Sequence, residues 1–488
     1  MESAPAGRVA LDDGQRPLTY GELGARVVAE GAWLAAAGGE RYATLADNGV
    51  AWVVTDIALH LREMLSVPLP GYFTTAQALH ALDDAGIDSV LTDDPRRAHD
   101  LLVGWRRVTE SPQTGLSLFR RQLDAGARPR VPPGTVKVTY TSGSTAAPKG
   151  VCLSARHLET VAQALATATA PLGVQRHLCL LPLATLLENV AGIYAPLLAG
   201  ATSVLPPATT TGMSYAGPDP QKLLATLCAV EPESLILVPE LLQLLVVSAD
   251  SGWRAPRSLK FIAVGGASVS PSLLERAAAA GLPVYEGYGL SECASVVCLN
   301  TPHARRPGSV GKPLPHARVR LAANGEVRVS GAVMLGYLGD PPRAADEELA
   351  TGDLGEVDDE GYFYIRGRVR NIFITSLGRN VAPEWVEREI DQRLPRHQVM
   401  VFGEARPHAV ALVSASQGDL DAAGIERAIA SANAQLPDYA RVRRWARVPE
   451  PFALANGLLT SNGRLRRTAI LERHRDLLDA LYREELAS

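Results

Sequence analysis

The chain has 488 residues, 47% hydrophobic, 20% charged and 5% aromatic, with a formal net charge of −4 at pH 7. That make-up is ordinary for a globular protein of two or three domains, and it supplies no basic footprint for nucleic acid. No apolar run approaches a membrane span, and Met1-Glu-Ser-Ala-Pro lacks the basic-then-apolar pattern of a signal peptide, so the expectation is a cytoplasmic protein with no membrane span. The five cysteines (Cys152, Cys179, Cys228, Cys293, Cys298) are scattered and odd in number, which suits a reducing compartment. The ten His residues form no HExxH or CxxC-type cluster, which speaks against a zinc site.

Taken in order, residues 1 to about 130 alternate helical and strand-like patterns. A helix begins at Tyr20, Ala43-Thr-Leu-Ala is a strand, and Trp52 to Leu61 is a helix. Ser66 to Pro70 and Ser89 to Thr92 bracket another helix near Ala76 to Ala85. Val136, Val138 and Tyr140 alternate with polar residues as a strand does, and Val151 to Leu153 is a second short apolar run. Ser154 can cap a helix carrying Leu158, Val161 and Leu165 on one face. Beyond it come a helix over Leu186 to Leu198, strands at Ser203, Ser234 to Val238 and Leu259 to Val264, and helices over Leu223 to Val230 and Glu240 to Val247. This alternation predicts an α/β fold with a largely parallel sheet covered on both faces. Ligands of such sheets bind at the carboxyl ends of strands, here the loops after Tyr140, Val264 and Tyr285. EVRVSG and GYFYIRG then alternate strictly, as antiparallel strands do. After Gly367 follows a unit of its own with strands at Val399 to Phe402 and Val410 to Val413 and a last helix from about Thr468.

From the end of the Val136–Tyr140 strand to Val151 runs Thr139 to Gly150, TYTSGSTAAPKG. Glycine lets the backbone approach an anion, amides and hydroxyls donate to its oxygens, and Lys149 adds a mobile positive charge, so the chemistry suits a polyphosphate. It is not a Walker A loop, because Lys149 precedes Gly150 and follows Pro148.

TSGSTAAPKGV resembles the phosphate-binding signature of the adenylate-forming (AMP-binding) superfamily: acyl-CoA synthetases, peptide-synthetase adenylation domains and luciferases. EGYGLSE (286–292), TGDLGEV (351–357), GRVRNIFITSLGRNVAPEWVE (367–387) and LLTSNGRLRR (458–467) resemble further motifs of that family, in its order. The resemblance covers nearly the whole chain and is strongest to long-chain fatty acyl-CoA synthetases. It implies a large N-terminal ATP- and acyl-binding domain, residues 1–368, with mostly parallel sheets flanked by helices plus an antiparallel subdomain. It also implies a small, mobile C-terminal α+β domain, residues 369–488.

The implied reaction joins a carboxylate to ATP as an acyl-adenylate, with Mg2+ as cofactor, and then passes the acyl group to a thiol. On the resemblance, Thr141, Ser142, Gly143, Ser144, Thr145 and Lys149 hold the β- and γ-phosphates. Ala146 stands where the family has glycine. Glu292 matches the magnesium-contacting glutamate, with Thr145 the second metal candidate, and Ser291 stands near the α-phosphate. Gly265, Gly266 and Ala267 lie along the adenine, on which Tyr288 of the Glu286-Gly287-Tyr288 run packs. Asp353 accepts from the ribose hydroxyls, Arg368 contacts ribose and phosphate, Arg370 is the hinge, and Gly378 lines the thiol tunnel. The catalytic candidates are Lys149, Glu292, Thr145 and Arg464. Arg464 replaces the family's lysine, and that exchange is not conservative. Either it takes over the lysine's work, or adenylation is slow, or the chain is an impaired ATP- and acyl-binding homologue; the intact nucleotide motifs favour the first.

The segment Leu181 to Gly192 matches the family's acyl-gate region, with Thr185 where a histidine or aromatic often stands, and it contains no Asp for a substrate ammonium. Its Leu, Val and Ala content points to a medium- to long-chain fatty acid. Glu188 reads as a helix-surface or capping residue. The acceptor is CoA on this reading, with the phosphopantetheine of an acyl carrier protein as the alternative.

Overall fold

The computed structural model describes residues 4–123, 128–141, 148–213, 218–267, 269–344, 346–376, 379–394, 397–415, 421–460 and 463–483. Ser142, Gly143, Ser144, Thr145 and Gly378 lie outside them.

Two sheets enclose the main core. One has eight strands in the spatial order 336–337, 149–153, 137–141, 65–68, 41–45, 89–92, 117–120 and 106–110. The other has nine, in the order 312–313, 295–299, 284–290, 261–264, 234–237, 176–178, 202–204, 9–12 and 18–19, and its middle six run parallel. Parallel neighbours need crossovers, and helices supply them. The helices Tyr20–Ala37, Val50–Leu61 and Ala155–Thr169 follow; side-chain caps fix the start of two of them, Thr19 with Glu22 as a capping box on the first and Ser154 on the third. Leu23, Val27, Trp52, Ile57, Leu158 and Val161 from these helices share one buried cluster with Leu11 of the second sheet and Leu91 of the first, so the helices are packed between the sheets.

A four-stranded antiparallel sheet follows (Ala317–Leu321, Glu326–Gly331, Leu349–Val357, Phe363–Arg368), as the strict alternation predicts. Beyond it, His397–Phe402, Ala409–Ala415 and Val442–Arg447 form a three-stranded mixed sheet. Val399, Val401, Ala411 and Val413 pack there on Val386, Ile390, Ile425 and Ile429 in a cluster separate from the main core. Among the described residues, no helix is long and apolar enough to cross a membrane.

Four local expectations need correction. The segment after Tyr285 is strand: Val284–Leu290 runs on because Ser295–Leu299 folds back antiparallel against it. Gly289 permits that approach, since a Cβ there would stand 1.7 Å from the Ser295 carbonyl oxygen. The helix over Leu186–Leu198 is α over Leu186–Glu188, π over Asn189–Tyr194 and α over Ala195–Leu198. Within it Glu188 is fully buried, not on a helix surface. The last helix is two, Arg467–Arg473 and Arg475–Arg483, meeting at His474.

Lys137 stands at a polar position of the alternating strand Lys137–Thr141, yet it is 1% exposed, because that strand is central and covered on both faces. Asp56 accepts from its Nζ at 2.8 and 3.1 Å, and the Asn189 Oδ1 at 2.5 Å. The Tyr194 hydroxyl donates to the same Asp56 at 2.7 Å. This network ties the π segment to the first sheet.

Candidate active site

The motif residues gather in one region, the candidate cleft. Lys149 opens the strand Lys149–Leu153, whose antiparallel neighbour is Gly336–Tyr337, and its Nζ stands 5.2 Å from the Tyr337 ring centre. The Tyr337 hydroxyl donates to Glu292 Oε1 at 2.9 Å. Burial, then the Glu292 charge, hold the Tyr337 hydroxyl well above its ordinary value, so it stays a proton donor at neutral pH. Tyr337 therefore links the lysine and the glutamate that the motifs singled out. Nothing in its Gly336-Tyr337-Leu-Gly context marked it, because the link depends on a strand pairing across 186 residues of sequence, Tyr337 with Val151.

Glu292 lies in the single turn Ser291–Cys293, and the backbone that follows is strained: Ala294 has φ 53° and Ser295 φ 110°. Residues other than glycine rarely hold such angles unless the surroundings impose them, and sites of function are where this is commonly seen. The Met334 amide donates to the Glu292 carbonyl at 2.7 Å, holding the turn against the Gly336–Tyr337 side.

A second group gathers on Asp353, which is 5% exposed. The Tyr288 hydroxyl donates to its Oδ2 at 2.7 Å, and Arg368 Nε stands 2.6 Å from its Oδ1. The register explains this: Asp353 pairs directly with Arg368 across the antiparallel strands. Burial pushes the Asp353 carboxyl above the usual carboxylate range, and Arg368 opposes that shift.

The Thr460–Arg464 turn reaches this group from the far end of the chain. The Arg464 guanidinium donates to the Gly266 carbonyl. Burial of its head group, then the like charge of Arg368, hold it below its ordinary value, while Asp353 acts in the other sense. Gly463 has φ +71°, and a Cβ there would stand 2.0 Å from Glu240 Oε1. Glu240, in the first turn of Pro239–Asp250, is thus a residue the motifs missed. Gly265 and Gly266 follow the strand Phe261–Val264; Gly266 has φ +85°, and a Cβ on Gly265 would stand 3.4 Å from the Gly287 carbonyl oxygen. Ala267 follows the pair directly.

Glu286 lies two residues before Tyr288 on the strand Val284–Leu290 and is buried. Its Oε2 accepts from the Gly308 amide at 2.7 Å, and its own carbonyl accepts from Asn300. Burial raises its pKa to about 7, with the Gly308 amide, Arg305 and Arg388 opposing.

Residues 1–338 match the family of AMP-binding enzymes, and residues 370–486 match the AMP-binding enzyme C-terminal domain. A feruloyl-CoA synthase of Amycolatopsis sp is 32% identical over 412 residues, which covers 78% of this chain and 79% of that protein. A long-chain-fatty-acid–CoA ligase of Mycobacterium bovis is 31% identical over 249 residues, 45% of this chain and 42% of its own, so that match spans less than half the relative's length. Among solved structures, an anthranilate CoA ligase in complex with anthranoyl-AMP superimposes with a TM-score of 0.79 at 19% identity, over 96% of this chain and 94% of that one. O-succinylbenzoate coenzyme A synthetase from Bacillus subtilis, in complex with AMP, gives 0.74 at 23% identity over 96% of each. These superpositions establish the fold, a large α/β part followed by a small C-terminal one.

Proposed function

The chain belongs to the AMP-binding enzyme family, and we propose that it is an AMP-forming acid–thiol ligase: it joins a small-molecule carboxylic acid to ATP as an acyl-adenylate, releasing pyrophosphate, and passes the acyl group to CoA. The observation that carries this reading is the convergence of Lys149, Glu292, the paired Asp353 and Arg368, and Arg464, from four distant segments, on one region. Such a set answers the electrostatic problem of bringing an anionic carboxylate to an anionic α-phosphate.

In this reading Asp353 accepts from the ribose hydroxyls, oriented by Tyr288 and Arg368. Lys149, four residues after the 141–145 motif, neutralises the outer phosphates. Glu292 fits a hard cation: one carboxylate oxygen is held by Tyr337, and the other has no hydrogen-bond partner among the described residues. Mg2+ bound there would offset charge on the phosphate oxygens. Arg464 brings the charge that the family's lysine brings, from the Thr460–Arg464 turn. The small domain, residues 369–488, rotates about Arg370 between the two half-reactions and presents Gly378 to the thiol.

The acid is a medium- to long-chain fatty acid. Leu183, Leu186 and Val190 in the 181–192 segment are buried and apolar, and some relatives are named long-chain-fatty-acid–CoA ligases. The feruloyl-CoA synthase makes an aromatic acid the competitor. Transfer to the phosphopantetheine of an acyl carrier protein is the alternative second step, and Arg464 is the feature that would suit a binding homologue with impaired catalysis. The test is to incubate the protein with ATP, Mg2+ and mixed fatty, aromatic and amino acids, with CoA or a carrier protein, and to identify acylated thiols by mass spectrometry. Fatty acyl-CoA is the expected product; aminoacyl products alone would overturn the substrate assignment.

A further inference from the structure

Within twelve positions of sequence, His177, Cys179 and Glu188 meet at one point in the core, remote in kind from the nucleotide cleft. His177 and Cys179 share a face of the extended segment that begins at Arg176, two residues apart, and Glu188 descends from the turn before the π segment. One nitrogen, one sulfur and one carboxylate oxygen lie within 4.8 Å of one another, on residues 3%, 0% and 0% exposed.

Further observations point inward to a ligand. Glu188 Oε2 is buried with no hydrogen-bond partner among the described residues, which a purely hydrogen-bonded His–Glu–Cys cluster does not explain. His177 Nδ1 is 2.9 Å from Ser234 Oγ, which turns Nε2 toward Glu188 at 3.4 Å, as the outer nitrogen of a metal-bound histidine is commonly held. The π segment brings the Gly192 carbonyl oxygen to 3.5 Å from Cys179 Sγ. Gly192 also lies against the cluster: a Cβ there would stand 2.5 Å from Glu188 Oε1 and 3.0 Å from His177 Nε2 and would push those side chains aside.

We propose that His177, Cys179 and Glu188, with the Gly192 carbonyl as a fourth donor, form a buried binding site for a zinc-class transition metal. Tetrahedral zinc with bonds of about 2.0–2.3 Å sets its donors roughly 3.3–3.8 Å apart, and the 3.4 and 3.5 Å separations fall in that range. The mixed N, S and O donors suit zinc or cobalt and not magnesium. The ion would staple the second sheet to the π segment, and because the site is sealed it would load during folding. The sequence conceals it because two residues separated by one, then a third nine further on, match no zinc spacing.

The test expresses the Cys228→Ser protein, which lacks the exposed cysteine, in zinc- or cobalt-supplemented medium and passes it through chelator before analysis. About one zinc per chain by mass spectrometry is expected, and the cobalt form should show sulfur-to-cobalt charge transfer in the near ultraviolet. Cys179→Ser should abolish that band, and Glu188→Gln should cut the bound metal at least several-fold. The cobalt spectrum needs no variant of the site itself, so the test survives if those variants misfold. Stoichiometric metal absent from the folded protein, or cobalt bound without the charge-transfer band, would overturn the proposal.

Discussion

Arg464 donates to the carbonyl of Gly266, a contact across 198 residues that brings Arg464 onto the glycine pair after Phe261–Val264. The side chain that departs from the family's lysine therefore still reaches the cleft. Arg464→Ala should lower adenylate formation roughly 100-fold, the loss typical of one transition-state donor, with ATP affinity little changed. Arg464→Lys should retain most of the rate. Single-turnover adenylation and ATP titration check both; an undiminished rate in the alanine variant would remove Arg464 from the chemistry.

The seating depends on Gly463. A Cβ there meets Glu240 Oε1 at 2.0 Å and also strains a φ of +71°. Gly463→Ala should slow adenylation, and adding Glu240→Ala should restore part of the rate by removing the obstacle. Purely additive losses in that double-mutant cycle would mean that Glu240 does not receive the turn.

Asp353 holds Tyr288 and Arg368 on separate oxygens. Removing it deletes a hydrogen-bonded charge worth on the order of 1.5–3 kcal/mol, so Asp353→Ala should weaken ATP binding by about tenfold or more. The KM for the acid should change far less. An equal effect on both would assign Asp353 a general structural role.

Glu286 links the fold to pH. Its folded pKa of about 7 lies above the ordinary carboxylate value. Between the two values the folded state binds more protons than the unfolded chain, so this group favours folding at low pH and its contribution is lost as pH rises toward 7. Glu286→Gln keeps an acceptor for the Gly308 amide and should flatten stability across pH 5–8, with a gain above pH 7. Urea unfolding at several pH values reads this directly; an identical slope in both proteins would contradict it.

The buried Lys137–Asp56 pair should behave as such pairs do. Lys137→Met alone strands Asp56 and should cost about 3–5 kcal/mol, and adding Asp56→Leu should recover much of that. Denaturant midpoints of the three variants decide the point.

Much of this was legible in the sequence because it is local. The cap at Ser154, the alternation at 326–331 and 361–367, and the motifs around Lys149, Glu292, Asp353 and Arg464 each lie within a few residues. What was not legible depends on partners far away. Tyr337 reaches Glu292 only through a strand pairing, and Glu240 matters only because Gly463 lands on it. Lys137 and Glu188 look like surface charges until the sheets that bury them are assembled. The run after Tyr285 reads as a loop because its two glycines, Gly287 and Gly289, conceal a strand that Gly289 allows to pair tightly.

The central claim is that this cleft makes acyl-adenylates. Acid-dependent pyrophosphate release from ATP and Mg2+ tests it most directly, with fatty, aromatic and amino acids supplied in turn. Release that requires a fatty acid and falls in Arg464→Ala is the predicted result. ATP binding without release for any acid would contradict it.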